Sequence, residues 1–160
     1  MPAEPRFEAP DPREVDPRAV RRAFGRAAAS YDAAAALQRE IGTRMAARLD
    51  YVRLAPAMIL DAGCGTGDAV GELAVRYAGA RVVALDLALP MVEAARERAR
   101  RGRSLLRRLL PARLAGGVEP LFVCGDLNTL PLSGVAFDLV WSNLALQWIN
   151  DLPRAIAEVR

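Results

Sequence analysis

Glycines at positions 63, 65 and 67 follow directly on Asp61, and two further acids, Asp86 and Asp126, close later apolar runs. Alternating glycines behind an apolar run (Met58, Ile59, Leu60) let the chain turn sharply and bring its backbone amides against a ligand. A helical pattern starting near Asp68 aims a positive helix end at the same place. Asp86 lies nineteen residues past Gly67, at the end of Arg81-Val-Val-Ala-Leu-Asp86. A carboxylate there can accept both hydroxyls of a ribose, which predicts a nucleoside-containing cofactor. The chain has no histidine, and all 22 of its basic residues are arginine. No imidazole is present to act as general base, so chemistry here uses a carboxylate, a tyrosine or no base at all.

Strands and helices must place these groups. Residues 57–62 and 81–86 read as strands, with a helix over about 68–78 between them. Pro90 opens a helix near 90–101, and strands follow at 121–126 and 137–141. Ahead of them, Asp16-Pro17 caps a helix carrying Val20, Phe24 and Ala27 on one face. A second helix repeats apolar residues at Leu37, Ile41, Met45 and Leu49. The arginine-rich stretch 102–120 reads as a partly helical basic insertion, and Asp151-Leu-Pro153 caps a last helix. Alternation of strand and helix predicts an α/β fold with a doubly wound, mostly parallel sheet. The expected organisation is a disordered tail at 1–16, an N-terminal helical lid at 17–53, and a nucleotide-binding domain at 54–160. The last helix has no following strand, so the sheet is expected to lack its final strands.

A chain of 160 residues, 52% hydrophobic, allows one domain with a moderate core. No run approaches the ~18–20 apolar residues of a membrane span. The start, Met-Pro-Ala-Glu-Pro-Arg, lacks the apolar core of a secretory leader, so a cytoplasmic protein is expected. Cys64 and Cys124 give neither a metal site nor a disulfide framework. A net charge of +3 without a recognition motif gives no reason to expect nucleic acid as a partner.

The spacing Gly-x-Gly-x-Gly departs from the dinucleotide fingerprint, whose third glycine would stand where Asp68 does. With Asp61, Asp86 and Asp126 at three successive strand ends, residues 57–160 resemble the class I, Rossmann-like S-adenosylmethionine-dependent methyltransferases. That resemblance implies roles for the matching residues. The loop Asp61-Ala-Gly63-Cys64-Gly65-Thr-Gly67 would hold the methionine part of S-adenosylmethionine, and Asp86 its ribose. Leu87 and Met91 would flank the adenine, Met91 being equally readable as core. Asp126 and Leu127 would read the adenine edge, and Asn143 would stand beside the reactive methyl.

Outside these motifs, Arg22-Ala-Phe-Gly-Arg26-Ala-Ala-Ala-Ser-Tyr31-Asp and Trp141-Ser-Asn-Leu-Ala-Leu-Gln-Trp148 are similar to the malonyl-[acyl-carrier protein] O-methyltransferases of biotin synthesis. This closer likeness implies a malonyl-loaded acyl carrier protein as partner and its free carboxylate as methyl acceptor. An ionised carboxylate needs no base, which agrees with the absence of histidine. Arg22 and Arg26 are candidates to hold it. Tyr31 reads as lid or as packing, and Trp148 as acceptor-pocket wall or core. The arginines of 96–113 are candidates to steer an acidic carrier protein. Two alternatives stay open: another small acceptor such as a quinone precursor, or a methyltransferase-like assembly factor of respiratory complexes.

Overall fold

A computed structural model describes residues 14–109, 117–132 and 136–159, the side chains of 105–109 excepted. Its elements in chain order are α1 (Pro17–Ala27), α2 (Tyr31–Ala34), α3 (Ala36–Arg48), β1 (Met58–Ala62), α4 (Asp68–Arg76), β2 (Arg81–Asp86), α5 (Leu89–Leu109), β3 (Leu121–Cys124), β4 (Leu139–Trp141) and α6 (Leu152–Glu158). Short 3-10 turns occupy Leu49–Tyr51 and Leu146–Trp148. The four strands form one parallel sheet in the order β3-β2-β1-β4. The order reverses at β1, so a crevice opens beyond the carboxyl ends of β1 and β4, the switch point at which such sheets bind ligands.

Both faces of the sheet are covered, which is why its central strands read as unbroken apolar runs. Ile59, Val82 and Ala84 point into one layer with Val70 and Leu73 of α4 and Ala95 of α5. Leu60, Val83 and Leu85 point into the other, with Leu127 and with Ala155 of α6. Each fully buried leucine or isoleucine contributes roughly 1.5–3 kcal/mol of transfer free energy, so this alternation fixes the register of β1 against β2. Asp138 pins the start of β4 to β1: its Oδ2 accepts the amides of Ala57 (2.8 Å) and Met58 (2.9 Å). Those two bonds hold the Asp138 carboxyl below its usual range.

The helix ends follow their sequence signals. Asp16 accepts from Arg18 N at 2.9 Å and Asp151 from Arg154 N at 3.0 Å, with a proline in the first turn of each helix. Other details differ from the sequence expectation. Strand β3 stops at Cys124 because Asp126 turns the chain, accepting Asn128 N at 2.8 Å. Helix α5 runs on to Leu109, so the first part of the expected basic insertion is continuous helix, while its residues 110–116 lie outside the described set. Residues 1–13 of the expected tail lie outside it too. The apolar stripe of the expected second helix is buried only in part: Met45 and Leu49 pack half-buried against the core beside the buried Ala46, while Leu37 is 63% exposed. The outer edge of β4 carries Val140, 41% exposed, with no further strand beside it among the described residues.

One glycine is fixed by helix packing. Gly67 has φ +81°, and a β-carbon there would stand 2.8 Å from Ala95 Cβ and 2.9 Å from Ala95 Cα. Left-handed backbone and a rigid neighbour act together. We expect Gly67→Ala to cost roughly 3 kcal/mol or more of folding stability in urea titration. A loss below 1 kcal/mol would contradict this packing.

Candidate functional site

At the carboxyl end of β1 the chain makes its sharpest turn. Gly63, Gly65 and Gly67 all have positive φ, +80°, +53° and +81°. Gly63 and Cys64 donate their amides to Leu85 O, at 2.8 and 2.9 Å, which draws the loop over the end of β2. There Gly65 N donates to Asp86 Oδ2 and Ala88 N to Asp86 Oδ1, both at 2.9 Å. Both carboxylate oxygens are thus held by backbone amides, and Asp86 lines the crevice. The approach at Gly63 is closer than that at Gly67: a β-carbon would lie 2.2 Å from Ala145 Cβ, in the segment after β4. That segment is itself unusual, since Leu144 holds φ +53° without being glycine.

These groups open onto a cleft of about 820 Å³, part of it exposed to solvent. Its floor contains Gly63, Gly65, Asp86 and Leu87, with Asp126 and Leu127 on one side. Its roof is α1 and α2. Val20, Arg21 and Phe24 line it from α1, and Tyr31 from α2. Phe24 meets Trp148 edge-on with centroids 5.5 Å apart and lies 6.2 Å from Tyr31, so three aromatic rings enclose the cleft. Burial, and next the Asp86 charge, raise the Tyr31 hydroxyl above its usual value. Asp86 is raised as well, by burial, with its amide bonds pulling the other way.

A smaller cavity continues behind the glycine loop, lined by Asp61, Asn143, Thr66, Gln38 and Arg39 among others. Asp61 Oδ2 and Asn143 Oδ1 are buried there and accept no hydrogen bond. Two orphaned acceptors facing one cavity call for a ligand that brings donors, such as an ammonium group. Asn143 is fixed by donating Nδ2 to Gln38 O at 2.8 Å, and Ser142 by donating to Ala62 O at 2.9 Å. Cys64 is buried, and its thiol is pushed well above its usual value by burial and then by Asp61 and Asp86. It is therefore no nucleophile here.

Most of the residues singled out from the sequence converge on these two connected spaces. Gly63, Gly65, Asp86, Leu87, Asp126, Leu127, Tyr31 and Trp148 line the cleft, and Asp61, Cys64 and Asn143 line the smaller cavity. Met91 is fully buried and lines neither, nor does Gly67. Arg22 and Arg26 are exposed and off the cleft, Arg22 lying 3.7 Å from Asp16. The helix period explains the displacement: Pro17, Val20, Arg21 and Phe24 share the face that meets the cleft, and positions 22 and 26 turn away. Arg21 went unnoticed in the sequence although the Val20–Phe24 stripe indicates its face. Among the described side chains of α5, Arg98, Arg100, Arg101 and Arg103 are engaged locally. Arg100 and Arg101 both bind Glu97, whose carboxyl is held at about 2 by those bonds, and Arg103 meets Glu119. The free positive field is smaller than the arginine count implies.

Comparison with known proteins agrees with this geometry. Residues 60–160 match the family described as "Methyltransferase domain". A malonyl-[acyl-carrier protein] O-methyltransferase of Methylovorus sp. (strain MP688) is 47% identical over 146 residues, 91% of this chain and 46% of that protein. One of Laribacter hongkongensis (strain HLHK9) is 51% identical over 144 residues, 90% of this chain and 46% of that protein. The chain therefore spans about half the length of the curated relatives it matches. Among solved structures, an S-adenosylmethionine-bound amino pentose methyltransferase of Micromonospora echinaspora superposes with a TM-score of 0.52 at 28% identity, over 81% of this chain and 47% of that one. The YcgJ protein of Bacillus subtilis shares the fold, with a TM-score of 0.56 at 21% identity over 74% of this chain and 43% of that one.

The electrostatics of Asp61 give a test. Burial first, then Asp86 and Asp68, raise its carboxyl from 3.8 to about 7. Between those values the folded chain keeps a proton that the unfolded chain has lost. Stability therefore falls as pH rises across that window and levels off above it. Asp61→Asn should flatten this slope in urea titrations at pH 5 and pH 8, leaving the smaller share due to Asp86. An unchanged slope would show that Asp61 is ionised throughout.

Proposed function

The chain belongs to the methyltransferase-domain family, with S-adenosylmethionine as its cofactor, and from that premise we propose that it is the cofactor-binding part of a carboxyl O-methyltransferase. Its acceptor is the free carboxylate of a malonyl thioester on an acyl carrier protein, a step of biotin synthesis carried out in the cytoplasm. The observation that carries this reading is where the likeness to the relatives lies. An alignment of 146 residues extends well ahead of residue 60, through the helices that roof the cleft. The cofactor floor is common property of methyltransferases; the roof is the part that faces an acceptor.

The residues present fit the cofactor. Asp86, held by the amides of Gly65 and Ala88 at the cleft, would accept the two ribose hydroxyls. Asp126 and Leu127, which line the cleft, would read the adenine edge, and Leu87 would pack against its face. Asp61 Oδ2 and Asn143 Oδ1 supply the acceptors that an α-ammonium group needs. When bound, S-adenosylmethionine supplies a methyl group on a sulfonium. An ionised carboxylate would take that methyl group without losing a proton, so no residue of the chain would be needed as a base. The protein then has two tasks: to align the partners and to exclude water. Phe24, Tyr31 and Trp148 provide the apolar roof for the second task. For the first, Arg21 replaces the sequence candidates Arg22 and Arg26, because it is the basic residue among those lining the cleft.

The test offers the protein labelled S-adenosylmethionine with malonyl-loaded acyl carrier protein and assays a base-labile methyl ester on the malonyl group. We expect ester formation, and Arg21→Gln is expected to raise KM for the malonyl acceptor roughly tenfold while S-adenosylhomocysteine binds as before. Cofactor binding without ester would refute the acceptor. Ester formed at an unchanged KM by Arg21→Gln would remove Arg21 from the acceptor site.

A further inference from the structure

The four-residue helix α2 cannot hold its own position. One turn of helix is unstable alone, α2 buries none of its residues, and its N-cap Ser30 makes no side-chain capping bond. Yet α2 carries Tyr31, whose ring lies 4.0 Å from where a Gly65 β-carbon would be. What fixes it is the next residue. Asp32 Oδ1 accepts from Thr66 Oγ1 at 2.6 Å, inside the glycine loop. Asp32 Oδ2 accepts from Arg98 Nη2 on α5, and the same guanidinium donates through Nη1 to Asp68 Oδ1 at 2.8 Å. The Asp32 carbonyl accepts from Arg39 Nη1 at 2.6 Å, which ties α2 to α3. One residue thus joins the roof to the loop, to α5 and to the following helix, while Thr66 is buried at 5% exposure.

We propose that Asp32 is a positioning residue for cofactor retention: through Thr66 and Arg98 it sets Tyr31 over the glycine loop and closes the cleft above a bound S-adenosyl ligand. The inference rests on the cofactor reading given above. Two features make the tie local. Arg98 reaches both Asp32 and Asp68, so its charge is balanced at the loop. The other end of the roof is fastened separately, by Val15 N to Asn150 Oδ1 and Asn150 Nδ2 to Val15 O, both at 2.9 Å. Helix α1 also rests on α5, where Gly25 faces Pro90 at 3.6 Å from the β-carbon position. Releasing the Asp32 side chain therefore unties α2 from the glycine loop and α5, leaving it the Arg39 bond to the Asp32 carbonyl and the Tyr31–Phe24 contact, while α1 stays in place. A ligand held under Tyr31 escapes faster when that tie is cut, with little change in the folding of the ligand-free chain, because the Asp32 side chain is itself 54% exposed.

The experiment measures S-adenosylhomocysteine release by stopped-flow tryptophan fluorescence, with thermal unfolding of each ligand-free variant alongside. Asp32→Ala and Thr66→Val should each speed release roughly tenfold, the scale of one lost hydrogen bond to a charged group. The double variant should release no faster than Asp32→Ala alone, because Asp32→Ala already removes the bond that Thr66→Val cuts. Thr66→Ser, which keeps the hydroxyl, should match the parent. Arg98→Met removes the second tie from the far side and should also speed release, so the test stands even where Asp32→Ala folds poorly. Parental release rates in the folded variants, additive losses in the double variant, or failure of Thr66→Ser to match the parent would each overturn the positioning role. A parent chain that takes up no S-adenosylhomocysteine would overturn the cofactor reading itself.

Discussion

The bond from Gly65 N to Asp86 Oδ2, 2.9 Å long, joins the glycine turn after β1 to the acid that ends β2. Everything in the cleft depends on that junction. It requires positive φ at Gly65, and it requires Gly63 and Cys64 to bond Leu85 O so that the loop crosses the strand end. It also requires β1 and β2 to be in register, since Ala62 pairs with Leu85 one residue before Asp86. The register in turn follows from burial on both faces, which sends Ile59 and Leu60 into opposite layers. A slip by one residue would exchange those layers and carry Asp86 out of reach of the loop.

Floor and roof are held by different forces. The floor is built on fully buried strands and behaves as part of the core. The roof helices α1 and α2 contain no buried residue. They are held by aromatic contacts and by polar ties at Asn150 and Asp32. Segments with little apolar burial open at low free-energy cost, as a covered cleft needs if ligands are to enter and leave. The division agrees with the reaction proposed, in which the protein aligns two partners in a dry space and moves no proton.

The sequence made the floor legible because its signals are local. An apolar run, alternating glycines and an acid at a fixed distance are all consequences of backbone geometry within one strand–turn–helix unit, and β2 occupies the span read from sequence, Arg81–Asp86. The roof was legible as helices but not as a surface. The stripe at Leu37, Ile41, Met45 and Leu49 meets the core only at its later end, through Met45 and Leu49 beside Ala46, and leaves Leu37 largely exposed. Residue type alone points to Arg22 and Arg26, whereas the face of α1 that meets the cleft selects Arg21. The ties through Asp32, Thr66, Arg98 and Asn150 span 34 to 135 residues and have no sequence signature, since they depend on which loops the finished fold brings together. Similarly, Glu97 between Arg100 and Arg101 turns an apparent basic patch into local ion pairs.

The central claim is that Asp86 grips a ribose while the glycine loop holds it in place. It is tested most directly by calorimetric titration of S-adenosylhomocysteine against its 2′,3′-dideoxy analogue, on the parent and on Asp86→Asn. The account predicts that the parent prefers the natural ligand by roughly 100-fold, two hydrogen bonds to a charged acceptor, and that Asp86→Asn loses most of that preference. Equal affinity of the parent for both ligands would contradict it.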